Sequence, residues 1–357
     1  MTTLTAGVIG VGYLGRFHAQ KYAQLPNVEL VGVFDTDTAR AAAVAAELDC
    51  RAYESLDALL DAVDAVSIAA STPTHFSLAS TALNAGCHVF VEKPIAETSS
   101  EARQLCELAH KCRLQLQVGH IERFNPALIA ARAHMHDVRF IECHRLAAFK
   151  HRGADVDVVL DLMIHDLDVI LSIVDAQPIS VSAMGLPVLT DKVDIANARI
   201  EFANGAVANV TASRVSTSAQ RKLRIFQSRQ YMGVDFGAVT VQRVTRRDIW
   251  NGDDDPLVVD EMCYDRGDAL YAEIESFVNA VRDNTAVIVS GRDGLRVLEL
   301  AEAILEKQPD LVILDLMLPG ANGLDVARNV RAKLEEIAER SEADHGDSLA
   351  YKIAYDA

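Results

Sequence analysis

Short apolar runs alternate with helical patterns over the first third of the chain. The predicted strands are 6–9, 28–34, 65–70, 88–91 and 114–118. The predicted helices between them are 13–25, 38–48, 76–85 and 99–111. Apolar runs without alternation are typical of strands buried on both faces, and strands that alternate with helices favour a parallel sheet. The pattern therefore predicts an α/β Rossmann domain.

The pattern changes after about residue 121. The predicted strands are 138–147, 179–188, 194–203 and 206–215, with a longer β-rich stretch at 222–244. Asn204-Gly205 lies between two of them and is a strong hairpin signal. Helices are predicted at 156–174, 269–282 and 294–307, and the acidic segment 251–268 is predicted to be a solvated loop. This part is expected to be an α+β domain with a large, mostly antiparallel open sheet.

Composition and charge narrow the function classes. The 357 residues carry 34 Lys+Arg against 51 Asp+Glu, a net charge of −17, which disfavours nucleic acid and anionic membranes as partners. The six cysteines show neither C-x-x-C nor zinc-finger spacing. No apolar run approaches the ~20 residues that span a bilayer. We expect a cytoplasmic protein with reduced thiols and no metal.

A glycine-rich motif follows the first strand. Gly10, Gly12 and Gly15 form G-x-G-x-x-G at the start of a predicted helix, and Asp35 follows at the end of the second strand. Such glycines allow a tight turn, close approach of a pyrophosphate and close packing of helix on strand. A carboxylate at Asp35 would bind a ribose diol and repel a 2′-phosphate. The motif predicts a dinucleotide site that prefers NAD.

Two further motifs carry candidate chemistry. Lys93, in Glu92-Lys93-Pro94, follows the fourth strand, at the edge of a parallel sheet where ligands bind. Asp161, His165 and Asp168 lie within a strongly apolar predicted helix, with the first two on one face. His165 is a candidate general base, and Asp161 would orient either this histidine or the substrate. A self-contained buried polar network and a metal pair remain alternatives.

These motifs together resemble the Gfo/Idh/MocA family of NAD(P)-dependent sugar oxidoreductases over about residues 4–306. The resemblance rests on GVIGVGYLGRFHA, on STPTH, EKP, VGH and RFNP, and on Asp161, His165 and Asp168. It implies that Lys93, Asp161 and His165 are catalytic. The residues then expected to bind NAD are Gly10, Gly12, Tyr13, Leu14, Gly15, Asp35, Ser71, Thr72, Pro73, His75, Glu92 and Lys93.

The segments GHIERFNP and VLDLMIHDLDVI further resemble one branch, the UDP-N-acetylglucosamine 3-dehydrogenases. That resemblance implies UDP-GlcNAc as substrate, a homo-oligomer, and functional coupling to a PLP aminotransferase in making an amino-sugar lipid A precursor. Cations just before the catalytic helix could bind a diphosphate. The residues expected to contact substrate are Lys93, His120, Arg123, Arg145, Lys150, Arg152, Asp161 and His165.

The chain thus divides into a dinucleotide-binding domain at 1–121, a substrate-binding and oligomerisation domain at 122–306 and an extension at 307–357. Residues 308–333 resemble a fragment of a response-regulator receiver domain, in which Asp315 would be the phosphoacceptor. One βα unit cannot form a core alone, so a packed extension or a partly disordered fusion scar is expected.

Two alternatives stay open on the sequence alone. The enzyme could act on another sugar, nucleotide sugar or inositol within the same family. A cofactor-bound regulatory or scaffold protein is the alternative of another class, and the intact set of Lys93, Asp161 and His165 counts against it.

Overall fold

A computed structural model describes residues 3–150, 156–247 and 255–307. Arg152 and the extension from residue 308, with Asp315, lie outside the described residues.

The first sheet has six parallel strands in the order β3-β2-β1-β4-β5-β6. Its strands are β1 (Leu4–Ile9), β2 (Val28–Phe34), β3 (Arg51–Ala52), β4 (Ala65–Ile68), β5 (His88–Glu92) and β6 (Leu116–Gly119). Its helices are α1 (Tyr13–Gln24), α2 (Thr38–Leu48), α3 (Leu56–Leu60), α4 (Thr72–Asn84) and α5 (Ser99–Cys112). This arrangement confirms the predicted Rossmann domain and places its topological switch point between β1 and β4.

Two details of this domain escaped the sequence pattern. The strand β3 has two residues, which is too short to show any alternation. The helix α4 begins at Thr72 rather than at 76, because Pro73 occupies its first turn, where a missing N–H costs nothing.

The second sheet has eight strands in the order β14-β13-β12-β11-β7-β10-β9-β8. They are β7 (Phe140–Leu146), β8 (Pro178–Leu186), β9 (Ile195–Phe202), β10 (Val207–Ser213), β11 (Gln220–Gln227), β12 (Gln230–Asp235), β13 (Thr240–Arg246) and β14 (Leu257–Cys263). Only β7 and β10 pair in parallel, so the sheet is mostly antiparallel, as predicted. Asn204 and Gly205 form the expected turn, with Gly205 at a φ of +81°.

The prediction of a loop at 251–268 was wrong for residues 257–263, and residues 251–254 lie outside the described residues. Leu257–Cys263 forms β14, which pairs antiparallel with β13 at the edge of the sheet. Its acidic residues belong to an edge strand, where charges discourage pairing with another chain, and Asp260 lies 2.7 Å from the guanidinium of Arg243. The prediction relied on the number of acidic residues and overlooked that exposure alternates every second residue along this strand.

The apolar segment predicted as one helix over 156–174 is interrupted. Val159–Met163 forms a π-helical turn, in which the N–H of Ile164 donates to the carbonyl of Val159, five residues back. The α-helix α7 (Ile164–Ile173) continues from it. The π-helical geometry is rare and concentrates at functional sites, and here it contains Asp161.

The remaining helices are a 3₁₀ turn (Ile121–Phe124), α6 (Pro126–Arg132), α8 (Ala269–Asp283) and α9 (Gly291–Leu305). Of the two last helices, α8 packs against the first sheet and α9 packs against both. Phe277 of α8 stacks edge-on against Phe90 of β5, with ring centroids 5.8 Å apart. Leu298 of α9 lies in the core of the first sheet, whereas Leu300 lies in the core of the second. None of the described helices is long and apolar enough to cross a membrane.

A buried carboxylate anchors the chain entering the π-helical turn. Asp194 is fully buried and accepts hydrogen bonds from the backbone N–H groups of Val188, Leu189 and Thr190 and from Nε of Arg214, at 2.6–2.8 Å. Arg214 in turn donates to the carbonyl of Val156, at 2.6 Å. Burial alone would raise the pKa of Asp194, but these donors outweigh it and lower the pKa to about 2.

We expect Asp194→Asn to lower the free energy of unfolding at pH 7 by about 3 kcal/mol or more, because Arg214 would lose its buried partner. A carboxylate with a depressed pKa stabilises the fold above its unfolded-state value near ~3.9, and this contribution fades as the pH falls towards 2. Urea unfolding of wild type and variant should therefore show a difference that narrows between about pH 4 and pH 2.

Asp137→Asn is the matched control, since Asp137 pairs with Arg139 at the surface and both side chains are more than half exposed. This variant should lose less than about 1 kcal/mol at pH 7. An Asp194→Asn variant as stable as wild type at pH 7, or equally impaired at every pH, would contradict this account of the anchor.

Candidate active site

The glycine-rich turn lies at the carboxyl end of β1, against the end of β4. Gly10 has a φ of +81°, and a Cβ at Gly15 would lie 1.8 Å from the carbonyl oxygen of Gly10. The helix α1 can therefore approach the turn only because residue 15 is glycine. A Cβ at Gly12 would meet no atom within 4 Å, so its backbone is open to a ligand. These features fit the pyrophosphate of a dinucleotide.

Asp35 ties the end of β2 to this turn. Its carboxylate accepts hydrogen bonds from the N–H groups of Val11, at 2.8 Å, and of Asp37, at 2.9 Å. The guanidinium of Arg40 lies 3.3 Å away. A carboxylate has about four acceptor positions, so a ribose hydroxyl would bind Asp35 in place of one of the two longer bonds from Arg40. The structure thus brings Asp35 to the place where the sequence predicted a ribose contact.

The other predicted cofactor residues divide into exposed and buried groups. Tyr13, on the first turn of α1, is 71 % exposed, and Ser71 and Pro73 are exposed at the end of β4. Leu14 and Thr72 are half-buried beside them. These residues lie on either side of the switch point, where a dinucleotide would cross the sheet.

Two of the predicted cofactor residues, His75 and Glu92, stabilise the segment Glu92-Lys93-Pro94 at the end of β5. Nδ1 of the buried His75 lies 2.8 Å from the carbonyl oxygen of Pro94, which follows a cis peptide bond. Oε1 of Glu92 lies 2.9 Å from Nε2 of His18. Glu92 also lies so close to Gly119 that a Cβ there would come within 2.8 Å of it. The contacts of His75 with Pro94 and of Glu92 with His18 hold the backbone on either side of Lys93 in place.

Lys93 reaches from the first domain to the second. Its Nζ donates a 2.8 Å hydrogen bond to the main-chain carbonyl of Asp161 and lies 3.7 Å from Oδ1 of the same residue. Burial lowers the pKa of Lys93, and the carboxylates of Asp161 and Glu92 oppose that shift. The ammonium is therefore held at one point between the two domains.

His165 lies on the first turn of α7 and is half-buried. Its side chain makes no hydrogen bond to another described residue, and its Nδ1 is buried without a partner. Burial lowers the pKa of His165 well below 6.5, and the nearby charges of Lys93 and Arg145 lower it further. The imidazole is therefore neutral at pH 7 and can accept a proton.

Of the two roles predicted for Asp161, the orientation of His165 is not seen in the structure. The carboxylate and carbonyl of Asp161 both contact Lys93, and neither bonds to the imidazole. The expected helical spacing of four residues does not hold because Asp161 lies in the π-helical turn. The structure thus assigns Asp161 to the lysine, a contact that no periodicity in the sequence predicts.

Asp168 belongs to a buried polar network. It is fully buried and takes two hydrogen bonds from Arg123, at 2.7 and 2.8 Å. The alternative of an internally satisfied network therefore holds for this residue. The prediction of Arg123 as a substrate contact is not supported, since its guanidinium is committed to Asp168. His120 lies buried close to these charges, with neither ring nitrogen bonded to a described residue.

Arg145 is also committed to buried partners. Its guanidinium lies 2.8 Å from Glu122 and donates two bonds to Asp166, at 2.8 and 2.9 Å, with the arginine 4 % exposed. The prediction that Arg145 binds a diphosphate is corrected, because both carboxylates already neutralise it. Lys150 is exposed, and Arg152 lies outside the described residues. Among those residues, no group of three His, Cys, Asp or Glu could hold a metal ion.

Arg221 is a site residue that the sequence reasoning missed. It lies opposite Arg145 in the pairing of β11 with β7, and its charge helps to lower the pKa of His165, after the larger effect of burial. The signal was available in the alternation of β11, where Leu223 and Ile225 are buried and residue 221 falls on the same face.

Comparison with known protein families gives two matches in chain order. Residues 4–120 match the oxidoreductase family with an NAD-binding Rossmann fold, Gfo/Idh/MocA. Residues 127–232 match the Gfo/Idh/MocA C-terminal domain.

The chain is similar to curated enzymes over most of their length. It is 46 % identical over 303 residues to a UDP-N-acetylglucosamine 3-dehydrogenase of Acidithiobacillus ferrooxidans, covering 84 % of this chain and 96 % of that one. It is 29 % identical over 324 residues to an inositol 2-dehydrogenase of Rhizobium meliloti, with the same coverage. A solved structure of the Acidithiobacillus ferrooxidans enzyme matches with a TM-score of 0.80 and 45 % identity, covering 85 % of this chain and 97 % of that one.

Proposed function

The chain belongs to the Gfo/Idh/MocA family of NAD-binding oxidoreductases, and we propose that it oxidises the C3 hydroxyl of UDP-N-acetylglucosamine to a ketone. The observation that carries the reaction is the half-buried ammonium of Lys93 near a neutral imidazole, His165, which has no partner of its own. The substrate is supported by the 46 % identical relative. The more distant inositol dehydrogenase supports a cyclic polyol as the second candidate.

NAD+ supplies a hydride acceptor when it is bound. The residues proposed to hold it are those of the glycine-rich turn, Asp35 and the exposed residues at the start of α4. Its nicotinamide would need to come near Lys93, which stands at the end of β5 beside the switch point.

The chain's own residues carry the proton and the developing charge. His165 accepts the proton of the C3 hydroxyl as the hydride leaves C3. The ammonium of Lys93 donates a hydrogen bond to the same oxygen and stabilises its negative charge. Asp161 is a positioning residue, since its carbonyl and carboxylate fix the lysine on the substrate side of the sheet. We also propose His120 as a substrate contact, because it is buried beside this pair.

The ketone product indicates which reaction follows this one. A 3-keto sugar is a substrate for a PLP aminotransferase, so we propose that the two enzymes act in sequence towards an amino-sugar lipid A precursor. We also propose a homo-oligomer that forms through the outer face of the second sheet, where the side chains of Arg199, Glu201 and Arg224 are exposed. All six cysteines are free thiols, which supports a cytoplasmic location.

The test of the substrate is a panel of UDP-sugars, free sugars and inositols incubated with the protein and NAD+, with NADH absorbance as the readout. Reduction of NAD+ should be fastest with UDP-N-acetylglucosamine. A PLP aminotransferase that consumes the ketone should be added, because the equilibrium can favour the alcohol. Clear reduction with a free polyol, and none with UDP-N-acetylglucosamine in the coupled assay, would overturn the substrate.

The test of the catalytic pair uses His165→Ala and Lys93→Ala. Each should lower kcat by roughly 10²-fold or more while leaving the affinity for NAD+ within a few-fold of wild type, because the lost groups act on the reacting hydroxyl. His110→Ala is the matched control, since His110 is exposed at the end of α5 and should leave kcat unchanged. Wild-type turnover in either variant would remove that residue from the mechanism.

A further inference from the structure

A cavity of about 1080 Å³ opens in the second domain. Its walls come from the 3₁₀ turn, the start of β11, the turn between β12 and β13, and the segment that enters α8. Its charged residues are Glu122, Arg221, Lys222, Asp235, Arg266 and Asp268. The volume is slightly above the roughly 300–1,000 Å³ usual for a small-molecule site, which suits an extended ligand.

The carboxylates that line this cavity all have cationic partners. Glu122 lies 2.8 Å from Arg145, and Asp268 lies 2.7 Å from Lys21. Asp235 accepts two backbone N–H bonds and lies 3.8 Å from Lys222. These pairs neutralise both the carboxylates and Lys222, so neither contributes a net charge to the cavity.

Two arginines remain without a carboxylate partner. The guanidinium of Arg221 makes no hydrogen bond or ion pair to any described residue, and the guanidinium of Arg266 donates only to the main-chain carbonyl of Gly237, at 2.6 Å. A chain with a net charge of −17 thus leaves two uncompensated guanidiniums in one cavity. Guanidinium groups bind phosphate oxygens through two parallel hydrogen bonds, so the charge pattern fits a polyphosphate.

The position of Arg221 connects the cavity to the chemistry. Its register opposite Arg145 places it on the inner face of the sheet, the face that bears Leu223 and Ile225. Arg145 in turn donates to Asp166, the residue that follows His165 in the chain, so Arg221 lies near the helix that carries the imidazole. A ligand that presents a sugar hydroxyl to His165 and extends into the cavity would place its phosphates near Arg221.

We propose that this cavity binds the diphosphate of the nucleotide sugar, with Arg221 on the phosphate nearer the sugar and Arg266 on the outer one. The proposal rests on the proposed function. It gives Arg221 and Arg266 the phosphate contacts that Arg145 and Arg123 cannot make, because carboxylates already neutralise those two arginines. It also supplies a basis for preferring a nucleotide sugar over an uncharged polyol, which has no group for these arginines.

The test compares Arg221→Gln and Arg266→Gln with Arg224→Gln. Arg224 lies three residues further along the same strand, on the outer face, 3.4 Å from Glu142, so its replacement makes the same charge change away from the cavity. Binding of UDP and of uridine to the protein saturated with NAD+ is measured by titration calorimetry. Arg221→Gln should weaken UDP binding by at least about tenfold, with uridine binding and NAD+ affinity unchanged. Arg266→Gln should have a smaller effect in the same direction.

Several outcomes would overturn the proposal. Wild-type UDP affinity in both cavity variants would do so, as would an equal loss in Arg224→Gln, which would indicate a general effect of net charge. Unchanged NAD+ affinity confirms that each variant is folded. If wild type oxidises UDP-N-acetylglucosamine while Arg221→Gln binds UDP normally, the subsite alone fails. If wild type binds no UDP and oxidises a polyol, the proposed function fails together with the subsite.

Discussion

The hydrogen bond from Nζ of Lys93 to the main-chain carbonyl of Asp161 joins the two halves of the site. The lysine stands at the end of a strand of the first sheet, whereas the imidazole of His165 stands on a helix that packs against the second. The two groups can act on one hydroxyl only while the domains hold this contact. The π-helical turn presents the Asp161 carbonyl to the lysine, and buried networks around Asp194 and Arg145 hold the turn and its helix in place.

The charges around this contact leave the general base, His165, neutral, and most of the nearby cations are neutralised by carboxylates. Burial and the nearby ammonium keep His165 deprotonated, which a general base requires. The buried cations Arg123 and Arg145 are matched by Asp168, Asp166 and Glu122. An acidic chain can therefore bind an anionic substrate, because net charge describes the whole surface whereas binding depends on the few charges that stay unpaired.

The sequence carried much of the fold and part of the site. Glycine spacing and buried strands were sufficient for the first domain, because backbone sterics at Gly10 and Gly15 leave little choice of residue. The partners of long side chains were not predictable in this way. Arg145 looked free beside the catalytic helix, yet Asp166 and Glu122 neutralise it from different elements. The π-helical turn was also missed, since it depends on tertiary packing rather than on a local pattern. The strand β14 and Arg221 were missed although their strands alternate in exposure.

In the proposed reaction the hydroxyl at C3 of a nucleotide sugar gives its proton to His165, and the C–H bond of C3 gives its hydride to NAD+. The most direct measurement uses UDP-N-acetylglucosamine carrying deuterium at C3, with mass spectrometry of the reduced nicotinamide. The account predicts that the label appears in NADH and that transfer of deuterium is slower than transfer of hydrogen. Unlabelled NADH from the deuterated sugar would contradict it, because the hydride would then have left another carbon.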